Sequence, residues 1–213
     1  AAGVYHIDGK EGLLSSMSIV PLAMMVNGLF LSVWIILPKY VSDKKNPLLL
    51  TTIVSLLTWA FFAYIALSIA DYSVSIDISP AMLGILGLVC LILVSIFFNI
   101  KTRPSPKGDN KVPILILSIR GIAAAIAIGL ALVLAQIGQP LIAGLASAFP
   151  AIFLTSMVAL WISQGVTVPQ GAAAPMMLGG ASVAVYALVV MWSIPSFGIL
   201  LGSVIAWILS IGL

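Results

Sequence analysis

Apolar runs close to the ~20 residues that cross ~30 Å of hydrocarbon recur along the whole chain. Between them lie short segments that hold almost all of the charge. No other feature constrains the fold as strongly, because each run has to be a membrane-crossing helix. Only 7 % of the 213 residues are charged, and mean hydropathy is +1.26. A soluble domain carries about 25 % charged residues, so too few are available here to cover a water-facing surface. The sequence therefore predicts an all-α, polytopic integral membrane protein with no separate soluble domain.

Seven spans are expected, at about 13–37, 48–70, 81–100, 112–138, 141–163, 176–194 and 198–213. Pro21 and Asn27-Gly28 interrupt the first, Pro150 falls inside the fifth, and Pro195 is expected to break the helix after the sixth. The glycine- and proline-bearing stretch 164–175 is expected to be a linker. The proline-rich, polar segment 101–111 divides the chain into an N-terminal part with three spans, 1–100, and a four-span bundle, 112–213. Residues 1–12 are polar, too short to fold alone, and lack the basic, apolar and cleavage regions of a signal peptide.

Lys39, Lys44, Lys45, Lys101, Arg103, Lys107 and Lys111 fall in the segments after the first and third spans. Positive residues favour the cytoplasm, so the N-terminus is expected outside and the C-terminus inside, in a prokaryotic plasma membrane. The net charge of +3 thus reflects topology and not nucleic-acid binding.

Membrane helices associate through close van der Waals contact, which small residues permit. The fourth span carries Gly121, Ala125 and Gly129 on one stripe and Ala123, Ala127, Ala131 and Ala135 on another. It is expected at the centre, with the bulkier spans 1–3 wrapped around the rest. Gly198, Gly202 and Ala206 form the most regular stripe, open either to packing within the chain or to a homo-oligomer. The single cysteine, Cys90, is read as a small buried hydrophobe.

The stretch QPLIAGLASAFPAIFLTSMVALWISQG, with GGASVAVYALV and GILLGSVIAWILSIG after it, resembles the small GlpM-type bacterial membrane proteins. The shared features are a glycine-alanine start to the second span, a mid-span proline (Pro150), a tryptophan at its exit (Trp161) and a short glycine-bearing last span. The resemblance covers about residues 112–213, and this chain has three further spans before it. It implies a four-span bundle and brings no catalytic or binding residues.

Arg120 is the only ionisable residue inside a long run. A charge at the bilayer centre costs at least ~2.5–3.5 kcal/mol, so such residues are usually partnered. At ~1.5 Å per residue Arg120 lies about 12 Å along its helix from Val112, near enough to the boundary to snorkel to headgroups. Lipid anchoring and an anion-binding or gating role both stand. Pro150 frees backbone groups of the kind from which transporters build sites, with Ser147, Thr155, Gln136 and Gln139 as the nearest polar groups. A simple kink relieved by Ser147 is the alternative. Lys101, Arg103, Lys107 and Lys111 are candidate contacts for anionic headgroups. His6, Asp8, Glu11, Asp71 and Asp77 form an acidic outer rim that attracts cations.

No metal-ligand spacing, nucleophile-base set, phosphate loop or paired intramembrane carboxylate occurs, so no metal, cofactor or enzymatic activity is expected. The sequence points to a small transporter or channel with a path near spans 4, 5 and 6. The alternative is a non-catalytic subunit of a larger membrane complex, with lipid handling as a third reading. Membrane lipids, further copies of the chain or other membrane subunits are the expected partners.

Overall fold

A computed structural model describes residues 1–102, the helical positions 114, 115, 118, 119, 121, 122, 125, 126, 129, 130 and 133, and residues 140–212. Its elements are α1 (Ala2–Ile36), α2 (Pro38–Val41), α3 (Pro47–Ser75), α4 (Pro80–Lys101), α5 (Pro140–Ser147), α6 (Ala151–Gln164) and α7 (Thr167–Ile211). No strand occurs among the described residues. Five stretches are long and apolar enough to cross a membrane: Gly9–Val41, Pro47–Ser75, Pro80–Lys101, Leu141–Gln164 and Thr167–Ile211. The described residues thus form an all-helical fold whose long apolar helices fit an integral membrane protein, in line with the composition.

Four of these helices begin on a proline, Pro38, Pro47, Pro80 and Pro140. A proline at the first helical position loses nothing, because the N–H it lacks would have no helical acceptor there. α3 ends in a Schellman turn, in which the Ile78 amide donates to the Ser73 carbonyl at 2.9 Å and the Asp77 amide to Val74. Asp77 holds the left-handed position with φ 56°. Ser79 then caps α4 by accepting from the Met82 amide.

Among the described residues the centre of the bundle is α1, whereas the sequence expectation put residues 112–138 there. In the most apolar part of its span 72 % of residues are buried, against 22 % in α3 and 28 % in α4. Within 112–138, the described positions are all exposed. The Gly121–Ala125–Gly129 stripe is exposed, and a Cβ added at Gly121 or Gly129 would meet nothing within 4 Å. Small residues on α3 and α4 perform the packing instead. On α3 the buried positions are Thr51, Ser55, Ala63, Ala66, Ala70 and Ser73, while Leu57, Phe61 and Tyr64 point outward. On α4 a Cβ at Gly87 would lie 2.7 Å from the Leu22 amide nitrogen. On α5, one at Gly144 would collide with the Ser16 carbonyl.

α1 is also continuous through Pro21 and Asn27-Gly28, where interruption was expected. Its break is at Gly9, with φ 65°, so residues 2–8 form a short helical turn of their own, and Val4 packs on Ala143. Proline is tolerated inside membrane helices where neighbouring helices close over the freed carbonyl. Here Gly84 and Gly87 let α4 approach at that level.

Two further differences concern the C-terminal half. The stretch expected as a linker is helical from Thr167, and the helix runs through both Pro175 and Pro195. It turns back three residues after Pro195, at Gly198 with φ 78° and ψ 173°. The short arm then folds against the long one. A Cβ at Gly202 would sit 2.7 Å from the Ile194 backbone, and Ser193 Oγ donates to the Gly202 carbonyl at 2.8 Å. The Gly202–Ala206 stripe is therefore covered from within the chain. Cys90, expected to be buried, is exposed on α4.

Candidate functional site

α5 and α6 are two pieces of one interrupted span, broken at Ala148, Phe149 and Pro150. Pro150 supplies no amide hydrogen, and with φ −75° and ψ 35° it starts α6 in a new direction. The Ala148 and Phe149 amides close back on the Leu145 and Ala146 carbonyls at the end of α5, which leaves the Ala148 carbonyl in the break between the two helices. In hydrocarbon a carbonyl left in that state costs several kcal/mol, so a partner has to come from elsewhere.

Asn27, near the middle of the α1 span, is that partner. Its Nδ2 donates to the Ala148 carbonyl at 2.8 Å, and its Oδ1 accepts from Trp59 Nε1 of α3 at 3.0 Å. The carboxamide is thereby fixed from both ends, and Asn27 is only 2 % exposed. The Phe149 ring stands edge-on to Trp59 with centroids 5.1 Å apart, closing the break on its other side. Three separate elements meet on one amide.

A second asparagine repeats the device at the far end. Asn99 of α4 donates to the carbonyl of Ala174, the residue before Pro175, and to Ser95 within its own helix, both at 2.9 Å. Asparagines of α1 and α4 thus each donate to a carbonyl close to a proline, Ala148 before Pro150 and Ala174 before Pro175.

The sequence-predicted residues are only partly united. Pro150 is at the break. The Ser147 hydroxyl donates to the Gly144 carbonyl and that of Thr155 to Ala151, both at 2.7 Å and both within their own helices. Thr155 lines an apolar groove of about 360 Å³ beside Thr52, Ile119 and Val158, away from Asn27. Arg120, Gln136, Gln139, Arg103, Lys107 and Lys111 lie outside the described residues. Lys101 ends α4 with Nζ 4.2 Å from the centroid of the Phe97 ring, an arrangement that suits a cation at a membrane boundary.

Trp59 and the Ala148 carbonyl were not anticipated. A mid-span tryptophan needs an acceptor for its indole N–H, and Asn27 was the nearest intramembrane candidate in the sequence. Trp34 shows that this signal has exceptions. Its ring is fully buried, 6.0 Å from Trp161 between centroids, and its Nε1 has no hydrogen-bond partner.

Two more recesses open on the described surface. One, of about 540 Å³, lies between the arms of α7 along Ser182, Tyr186, Trp207 and Ser210. The other, of about 170 Å³, lies where α1, α3, α4 and α5 meet, with Glu11, Ser15, Ser18 and Ser73 among its lining. No group of three or more His, Cys, Asp or Glu side chains placed to hold a metal occurs among the described residues. Neither protein families, characterised proteins nor solved structures give a match to this chain.

Proposed function

We propose that the chain is a small membrane transporter or channel for a small solute or ion, with seven crossings of a prokaryotic plasma membrane. The observation that carries this reading is the interrupted span at Ala148–Pro150, held at mid-membrane by Asn27 and Trp59. Discontinuous helices meeting a polar side chain near the midplane are where transporters gather solutes, because backbone groups are released there.

Chain direction supports the crossing number. Glu11, Ala70, Pro80 and Leu141 share one end of the bundle, while Ile35, Leu48, Phe98 and Trp161 share the other. α4 ends at the second and α5 begins at the first, which supports a further crossing between them of the kind expected for residues 112–138. With the two arms of α7 the crossings number seven. The lysines of residues 39–45 and Lys101 then face the cytoplasm, and the N-terminal end of α1 faces out. Lys101, Arg103, Lys107 and Lys111 would meet anionic headgroups, and Arg120 would anchor in lipid or serve the path. The resemblance to GlpM-type proteins is compatible with this reading and adds no activity to it.

The test is flux of small cations and anions into proteoliposomes holding the purified chain. Uptake that Asn27→Ala or Pro150→Ala reduces several-fold, in protein that still folds, supports the reading. Absence of flux for every ion and amine tried overturns it.

One observation favours a second reading, a non-catalytic subunit of a membrane complex: every polar atom of Asn27 is already satisfied inside the chain. A node so completed suits a scaffold equally well. Mild-detergent purification that yields a stoichiometric foreign membrane chain would favour it. A homo-oligomer through Gly198, Gly202 and Ala206 would have to displace the contact that Gly202 makes with Ile194.

A further inference from the structure

The recess of about 170 Å³ at the Glu11 end combines a carboxylate with three hydroxyls and otherwise apolar walls. Leu14, Val74, Leu83 and Leu141 supply those walls. Glu11 is exposed at the rim, and Ser73 is buried deeper in. Two of the serines have spent their hydrogens on backbone. Ser18 Oγ donates to the Ser15 carbonyl at 2.8 Å and Ser73 Oγ to Ala70 at 2.7 Å. A hydroxyl has one donor and two lone pairs, so both remain acceptors toward the recess.

A site that accepts hydrogen bonds, carries one negative charge and is otherwise greasy selects its ligand class. Anions are repelled by Glu11. A divalent metal needs more carboxylates than this, and a bare alkali ion would lose its water to apolar walls. A short alkyl chain ending in an ammonium satisfies both halves. The volume is comparable to that of an apolar cavity of about 150 Å³ that admits benzene, so a few heavy atoms fit. Asp71 and Asp77, exposed at the same end beside Ala70 and Ile78, raise the local concentration of cations, opposed by Lys10.

We propose that this recess, with Glu11 at its mouth and Ser15, Ser18 and Ser73 inside, binds a small protonated alkylamine. It rests on the transporter reading for its purpose: it would be the outer holding site, roughly 13 Å above Asn27 by the ~1.5 Å rise per residue between Ser18 and Asn27. The ammonium sits against Glu11 and donates to hydroxyl oxygens, and the alkyl group lies on the leucines.

The test is calorimetric titration of the detergent-purified full chain with n-propylammonium chloride, n-propanol, NaCl and KCl. Saturable binding of propylammonium is expected, with no binding of propanol. Glu11→Gln, which changes charge and not shape at an exposed position, should weaken it about tenfold or more, and Glu11→Lys should abolish it, with melting temperatures unchanged. Equal affinity in Glu11→Gln, equal binding of propanol, or binding of sodium or potassium in place of the amine would each overturn the proposal. Amine flux into proteoliposomes is read separately. Binding without flux keeps the site and removes the transport reading, and flux indifferent to Glu11→Gln does the reverse.

Discussion

Asn27 reaches across 121 residues of sequence to donate a 2.8 Å hydrogen bond to the Ala148 carbonyl, at the point where the α5–α6 span is broken. The bond replaces one that the helix itself cannot make next to Pro150. Removing it should therefore be costly in a way that removing an ordinary buried side chain is not. Asn27→Ala leaves a carbonyl and an indole N–H unpaired in hydrocarbon, and a loss of about 1–3 kcal/mol is expected. Reversible unfolding in mixed micelles, monitored by tryptophan fluorescence, measures it. A loss indistinguishable from zero would mean that water or lipid repairs the break.

The two tryptophans on either side of this question should behave oppositely to their burial. Trp59→Phe strands Asn27 Oδ1 and should cost about 1–2 kcal/mol, although Trp59 is only half-buried. Trp34→Phe removes a fully buried donor that has no partner, so the hydrogen-bond part of its effect is favourable and only lost packing opposes it. Paired unfolding curves should rank Trp34→Phe as the milder change.

Glycine-to-alanine substitutions separate packing glycines from idle ones. Gly87→Ala would drive a methyl into the Leu22 backbone, where no side chain can move aside, and a loss of about 1–3 kcal/mol is expected. Gly129→Ala meets open space and should be neutral or slightly stabilising, since alanine is the better helix former. Thermal melts of the two variants side by side decide the matter.

Gly198 holds φ 78° and ψ 173°, a combination essentially closed to residues with a Cβ. Gly198→Ala should cost about 1–3 kcal/mol and loosen the short arm of α7. Spin labels at Ser182 and Trp207, which face one recess, would report a broader distance distribution in that variant.

Cys90 gives a direct reading of membrane depth. It is exposed midway along α4. In proteoliposomes it should resist charged thiol reagents and be reached by lipid-soluble maleimides, because a charged reagent does not enter hydrocarbon. Rapid labelling by a charged reagent would place that face of α4 against water or a pore.

Much of this architecture was legible in the sequence. The spans of α1, α3 and α4, and an interruption at Pro150, follow from apolar length and proline chemistry. The centre of the bundle was not legible, because a small residue shows that a helix can be approached closely and not which face is approached. Gly121, Ala125 and Gly129 make as regular a stripe as Ala63, Ala66 and Ala70, yet only the latter meets a neighbour. The start of α7 was hidden by Pro169, Gly171 and Pro175, which in water would mark a linker and in a bundle are accommodated. At the node, Asn27 stood out as polar within a span. Its partners lie 32 and 121 residues away, beyond the reach of local pattern.

The burial of α1 has a consequence for how the protein is made. α1 precedes in the chain every helix that encloses it. During synthesis Trp59 can meet the Asn27 Oδ1 early, but the Asn27 Nδ2 lacks its carbonyl partner until residue 148 has been added. At about 5–20 residues per second, that interval is roughly 6 to 24 s. For that time the donor side of the Asn27 carboxamide and the seam for α5 at Ser16 are both unfilled. The axis of the bundle is thus made before the helices that enclose it and completed only by them, and biogenesis is most exposed to capture or degradation in the delay between the two.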